Sequence, residues 1–144
     1  MRKVIFTDLD GVFHDGNDSV FTWAEHLWKV ISPYEVNLVI HSSWRLTQSI
    51  EEIRDRFPNF LKRRVIAVTE GSDPYESVLS FVQKNRVHDF IVIDDNVCRF
   101  PTAWITEGRF VLCDTGTGLS CPRALDLIRK FLDDDQLVNS GIVQ

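Results

Sequence analysis

Val4-Ile5-Phe6-Thr7-Asp8-Leu9-Asp10-Gly11 runs from three consecutive apolar residues into two carboxylates and a glycine. Apolar residues in direct succession put hydrocarbon on both faces of an extended segment, as in a strand covered by helices on either side; a half-exposed strand would alternate. Four further runs repeat the pattern: Leu38-Val39-Ile40, Val65-Ile66-Ala67-Val68, Phe90-Ile91-Val92-Ile93 and the shorter Phe110-Val111-Leu112. The fourth also ends in acid, at Asp94-Asp95, and the second in His41-Ser42-Ser43.

Helical patterns separate these strands. Segment 20–31 carries Val20, Trp23, Ala24, Leu27, Trp28 and Ile31 ahead of Ser32-Pro33. Ile50, Ile53, Arg54 and Phe57 recur at helical spacing after Thr47 or Ser49, either of which could cap the start, and Pro58 ends the run. Asp73-Pro74-Tyr75-Glu76 is a start signal: a side chain that accepts from unpaired backbone donors, a proline in the first turn, and a glutamate at capping-box spacing. Val78, Leu79 and Val82 follow as its apolar stripe, and Ala124, Leu127, Ile128 and Phe131 form that of the last helix. Alternation of this kind predicts a three-layer α/β fold with a mostly parallel five-stranded sheet. One domain is expected over residues 1–132, with 133–144 as a fraying C-terminal tail.

The 144 residues, 44% of them hydrophobic, suffice for one sizeable core. A formal net charge of -5 argues against a general nucleic-acid coat, which needs a basic surface, but leaves room for a local pocket that holds one phosphate. Cys98, Cys113 and Cys121 are odd in number and contain no close pair, so neither a disulfide framework nor a structural zinc site is expected. Reduced thiols, the absence of a signal-peptide run and the lack of a membrane-length apolar stretch point to the cytoplasm.

Acid at the carboxyl ends of buried strands is the chemical signal. In open parallel sheets, sites form outside those ends. If the first and fourth strands are neighbours, at least three of Asp8, Asp10, Asp94 and Asp95 converge, and like charges held together call for a cation. Carboxylates and carbonyls suit hard Mg2+ better than zinc. The competing reading is structural: Asp-X-Asp-Gly is a common turn, and acid after a strand can mark its exit to solvent.

Ile5-Phe6-Thr7-Asp8-Leu9-Asp10-Gly11-Val12-Phe13 resembles the first motif of the haloacid dehalogenase-like hydrolases. Leu38-Val39-Ile40-His41-Ser42 is similar to their second motif and Ile91-Val92-Ile93-Asp94-Asp95 to their fourth. His41-Ser42-Ser43-Trp44-Arg45, taken with Gly116-Thr117-Gly118-Leu119-Ser120, looks closest to the small domains of that superfamily associated with RNA-repair proteins. The resemblance implies a Rossmann-like domain with little or no cap, its first strand central between the second and fourth. It implies a magnesium-dependent phosphomonoester hydrolase in which Asp8 is the nucleophile and Asp10 the general acid and base. Asp8, Asp10 (by its carbonyl), Asp94 and Asp95 would hold the metal, and Ser42 and Ser43 the phosphoryl group. Its substrate would be a phosphorylated small molecule, a nucleotide or a nucleic-acid end. The alternative is a non-catalytic phosphate- or metal-binding interaction protein with a degenerate site.

The family's third motif places a Lys or Arg near the start of the helix before the acidic strand. Here Thr69-Glu70-Gly71-Ser72-Asp73-Pro74-Tyr75-Glu76 has no cation, and the first basic residue on that helix is Lys84. Arg45 is the candidate to replace it, against a structural reading in which it pairs with Glu51 or Glu52. Arg63 and Arg64 start the third strand, on the wrong edge. Trp44 and His14 are candidate pocket residues. Trp28 is read as buried against the sheet, and the ring of His41 as turned either into the helix layer or into the cleft.

Overall fold

The computed structural model describes residues 2–14, 21–41 and 46–143, with side chains as far as Asp134. Five strands, β1 (Lys3–Thr7), β2 (Asn37–Ile40), β3 (Val65–Val68), β4 (Asp89–Asp94) and β5 (Phe110–Leu112), form one sheet in the order β3-β2-β1-β4-β5. Every pairing is parallel, and β1 is central.

Strand side chains alternate between two apolar layers, which explains the unbroken hydrophobic runs. Ile5, Leu38, Ile40, Ile91 and Ile93 join a cluster with residues of α1 (Ala24–Ile31), α2 (Ile50–Arg54), α3 (Asn59–Lys62) and α6 (Pro122–Val143). Val4, Phe6, Val39, Phe90 and Val92 face the other way, against Val78 of α4 (Pro74–Lys84) and Trp104 of α5 (Ala103–Thr106). The result is the three-layer α/β arrangement expected. Lys3, only 5% exposed, ties the start of β1 to α6 by donating to the carbonyl of Phe131.

Several elements differ in detail from the sequence reading. Ser49, not Thr47, caps α2, in a capping box with Glu52. Helix α2 already ends at Arg54, ahead of Pro58, which instead opens a second short helix, α3, because a residue with fixed φ suits a helix start. At α4, Asp73 accepts from the Tyr75 amide as a simple cap. The segment between β4 and β5, to which no helical stripe is assigned above, contains the single turn of α5. Helix α6 runs from Pro122 to Val143. No described helix is long and apolar enough to cross a membrane.

Candidate active site

Register builds the site. Thr7 pairs with Ile40 on one side and Ile93 on the other, so the next residue of each central strand emerges at the same edge. The Asp8 amide donates to the Ile93 carbonyl at 2.9 Å, and the His41 amide to that of Thr7 at 3.1 Å, which extends the ladder into the cleft. Asp8, Asp94 and Asp95 thereby offer carboxylate oxygens that all lie within 4.8 Å of one another.

That crowding has an electrostatic signature. Burial, then the neighbouring Asp94 charge, pushes the Asp8 carboxyl up to about 7, against opposition from His41 and the Leu9 amide. Burial, then contact with Asp95, pushes Asp94 up to about 7 as well, although the Asn96 amide donates to it. Two carboxyls that resist ionisation, with a third beside them, make an oxygen-only donor set whose repulsion a hard divalent cation would relieve. The residues present therefore fit a magnesium ion, which Asp8, Asp94 and Asp95 would hold.

The loop after β1 shapes this edge. Leu9, Val12 and Phe13 are fully buried and anchor it, while the Gly11 amide closes the turn on the His14 carbonyl at 2.7 Å. Gly11 has φ +77°, and a Cβ there would stand 2.2 Å from Oδ2 of Asp95. Only glycine permits both the turn and the approach of that carboxylate. From the other side, Thr115 donates to the same Oδ2 at 2.8 Å and sets its direction. Asp10 lies outside the three-carboxylate cluster; its side chain is 49% exposed, with Oδ1 2.8 Å from Nε2 of His14. His14 is itself buried, its ring tilted against Phe21, so it stands behind Asp10.

His41 turns into the cleft: Nε2 lies 2.8 Å from Oδ2 of Asp94, and its ring meets Phe100 edge-on. The cleft, of about 230 Å³, is lined by Asp8, His41, Pro74, Asp94, Asp95, Asn96, Arg99 and Phe100. Pro74 thus occupies the wall at which the third motif would supply a cation. Arg99 was missed, because an exposed arginine in a loop carries no periodicity or motif. Two side-chain-to-backbone bonds bring it round: the Asn96 amide donates to Asp94, and the Cys98 amide to Asn96.

Ser42, Ser43, Trp44 and Arg45 lie outside the described residues. Trp28 is half-buried and packs against the apolar layer that contains Ile5, Leu38 and Ile40, with Phe60 and the Arg64 guanidinium on its outer side. Arg64 donates to the carbonyls of Tyr34 and Val36, and Arg54 to that of Val65, so these two cations brace strands and loops.

Residues 4–124 match the family described as "HAD domain in Swiss Army Knife RNA repair proteins". No curated protein and no solved structure matches the chain.

Proposed function

Because the chain belongs to the family of HAD domains in Swiss Army Knife RNA repair proteins, and so to a hydrolase superfamily, we propose that it is a magnesium-dependent phosphomonoester hydrolase. The observation that carries this reading is the set of three carboxylates with oxygens within 4.8 Å at the carboxyl edge of a parallel sheet. Asp8 stands at the end of the central strand and is the nucleophile. Its carboxylate oxygen bonds to phosphorus as the bond from phosphorus to the leaving oxygen breaks, and Asp10 delivers its proton to that oxygen. A water then attacks the same phosphorus, loses its proton to Asp10 and releases the Asp8 carboxylate, so one hard displacement becomes two easier ones. His14 holds the Asp10 carboxyl from behind, and His41 fixes Asp94. A bound magnesium ion supplies charge neutralisation between the carboxylates and the phosphoryl oxygens. Ser42 and Ser43 follow His41 directly and donate to those oxygens.

The cleft, of about 230 Å³ between the described residues, has room for a phosphoryl group, be it at the end of a nucleic acid or on a nucleotide or small metabolite. The decisive experiment is turnover of an aryl phosphate and of phosphorylated nucleotides and oligonucleotide ends. Hydrolysis that requires Mg2+ and disappears in Asp8→Asn is the expected result. Mg2+ binding with no turnover of any of them would instead support the degenerate interaction protein, a reading favoured by Pro74 where a cation is expected.

A further inference from the structure

We propose that Arg99 supplies the positive charge that the helix before the acidic strand lacks, and holds the phosphoryl group from the β4 side of the cleft. The inference rests on the phosphohydrolase reading above and assigns a substrate-binding residue to that site.

Three carboxylates and one divalent cation leave the cleft net negative, and a phosphomonoester brings further negative charge. A second positive group is therefore needed for the substrate to approach. The first turn of α4 cannot provide it. Its first residue, Pro74, faces the cleft without an N–H, and the Asp73 side chain is committed to the Tyr75 amide. Lys84 ends that helix, about 15 Å further along its axis. Arg54 and Arg64 are engaged with backbone carbonyls on the β3 side of the sheet.

Arg99 is different in each respect. Among the described residues it is the one Lys or Arg side chain that lines the cleft. Its guanidinium makes no hydrogen bond or ion pair with a described residue. The backbone beneath it is fixed all the same. Phe100 is buried and packs against His41, Trp104 and Phe110, and its amide closes a turn on the Val97 carbonyl at 3.0 Å. Asp94 itself accepts from the start of that turn. An arginine on a rigid base, four residues beyond the acidic pair, brings a planar fork to the rim, where it can clasp two phosphoryl oxygens.

The test compares Arg99→Ala, Arg99→Gln and Arg99→Lys with the full-length wild type. It reads kcat/KM for an aryl phosphate, binding of inorganic phosphate in the presence of Mg2+, Mg2+ affinity and Tm. Arg99→Ala and Arg99→Gln should weaken phosphate binding and kcat/KM roughly tenfold to a hundredfold, the range for loss of charge-assisted hydrogen bonds. Mg2+ affinity and Tm should stay at wild-type values, and Arg99→Lys should recover part of the loss. Phosphate binding and kcat/KM both within about threefold of wild type in Arg99→Ala would overturn the assignment. If Arg45→Ala then abolished both, the role would pass to Arg45. Failure of the underlying reading looks different: wild-type protein would show no Mg2+-dependent turnover, and phosphate binding would still report on Arg99. Absence of both turnover and phosphate binding in the wild type would overturn both.

Discussion

Asp10 and Asp94 illustrate how position divides labour among like residues. Asp10 is half-exposed on the turn after β1 and is held by His14, so its side chain can meet a leaving oxygen without being part of the carboxylate cluster. Asp10→Asn should keep the fold and Mg2+ affinity yet lower turnover of an alkyl phosphate by roughly 10²–10⁴-fold, the usual contribution of general acid–base catalysis. An activated aryl phosphate, whose leaving group needs little protonation, should suffer much less. Steady-state rates on the two substrate types measure this, and equal losses would remove the proton-transfer role. Asp94, in contrast, is buried between His41, Asn96 and the other carboxylates. Asp94→Asn should weaken Mg2+ binding measured by calorimetry, while metal-free Tm above about pH 7 rises because a repelling charge has gone. Unchanged Mg2+ affinity would place Asp94 outside the coordination shell.

At the scale of elements, the turn at Gly118–Ser120 locks the carboxyl end of the chain onto the loop that carries Asp8 and Asp10. The Leu119 amide donates to the Val12 carbonyl, and Leu119 is fully buried. Gly118 has φ +46°, and a Cβ there would fall 2.3 Å from the Trp23 ring and 2.5 Å from the Val12 carbonyl oxygen. Gly118→Ala combines backbone strain with overpacking and should destabilise the protein by about 1–3 kcal/mol or more, read as a lower Tm. Mg2+ affinity should fall with it, since the displaced loop follows directly on Asp8 of the carboxylate cluster. A Tm equal to that of wild type would show that Trp23 yields without cost.

For the molecule as a whole, the raised carboxyls make stability depend on pH. In metal-free protein Asp8 and Asp94 keep their protons up to about 7, whereas in the unfolded chain they lose them near 3.8. Between those values the folded state binds more protons, so its stability is fully present at the acid end and declines as pH rises through about 7. Thermal melts in chelator should show Tm falling across that window from this pair. Mg2+ added above pH 7 should restore it, because a ligand of the folded state stabilises that state. A profile in chelator that rises across the window, and is the same in the Asp8→Asn variant, would show that the pair does not repel as the structure indicates.

The alternation of apolar runs with capped helical stripes was enough to establish a layered α/β domain, since hydrocarbon on both faces of a strand has few other solutions. The acidic strand ends and Gly11 were visible for the same local reason: they interrupt a pattern. What local pattern could not contain was convergence. Asp8 meets Asp94, and His41 meets Asp94, because β1 lies in register between β2 and β4. Arg99 reaches the cleft because Asp94 and Asn96 curl the chain while Phe100 pins it. Arg64 is legible in sequence only as a cation at the start of the third strand, yet packing directs its guanidinium to the carbonyls of Tyr34 and Val36. A side chain's partners across the sheet are set by register and burial, which depend on distant segments, whereas strand and helix character is set by neighbours along the chain.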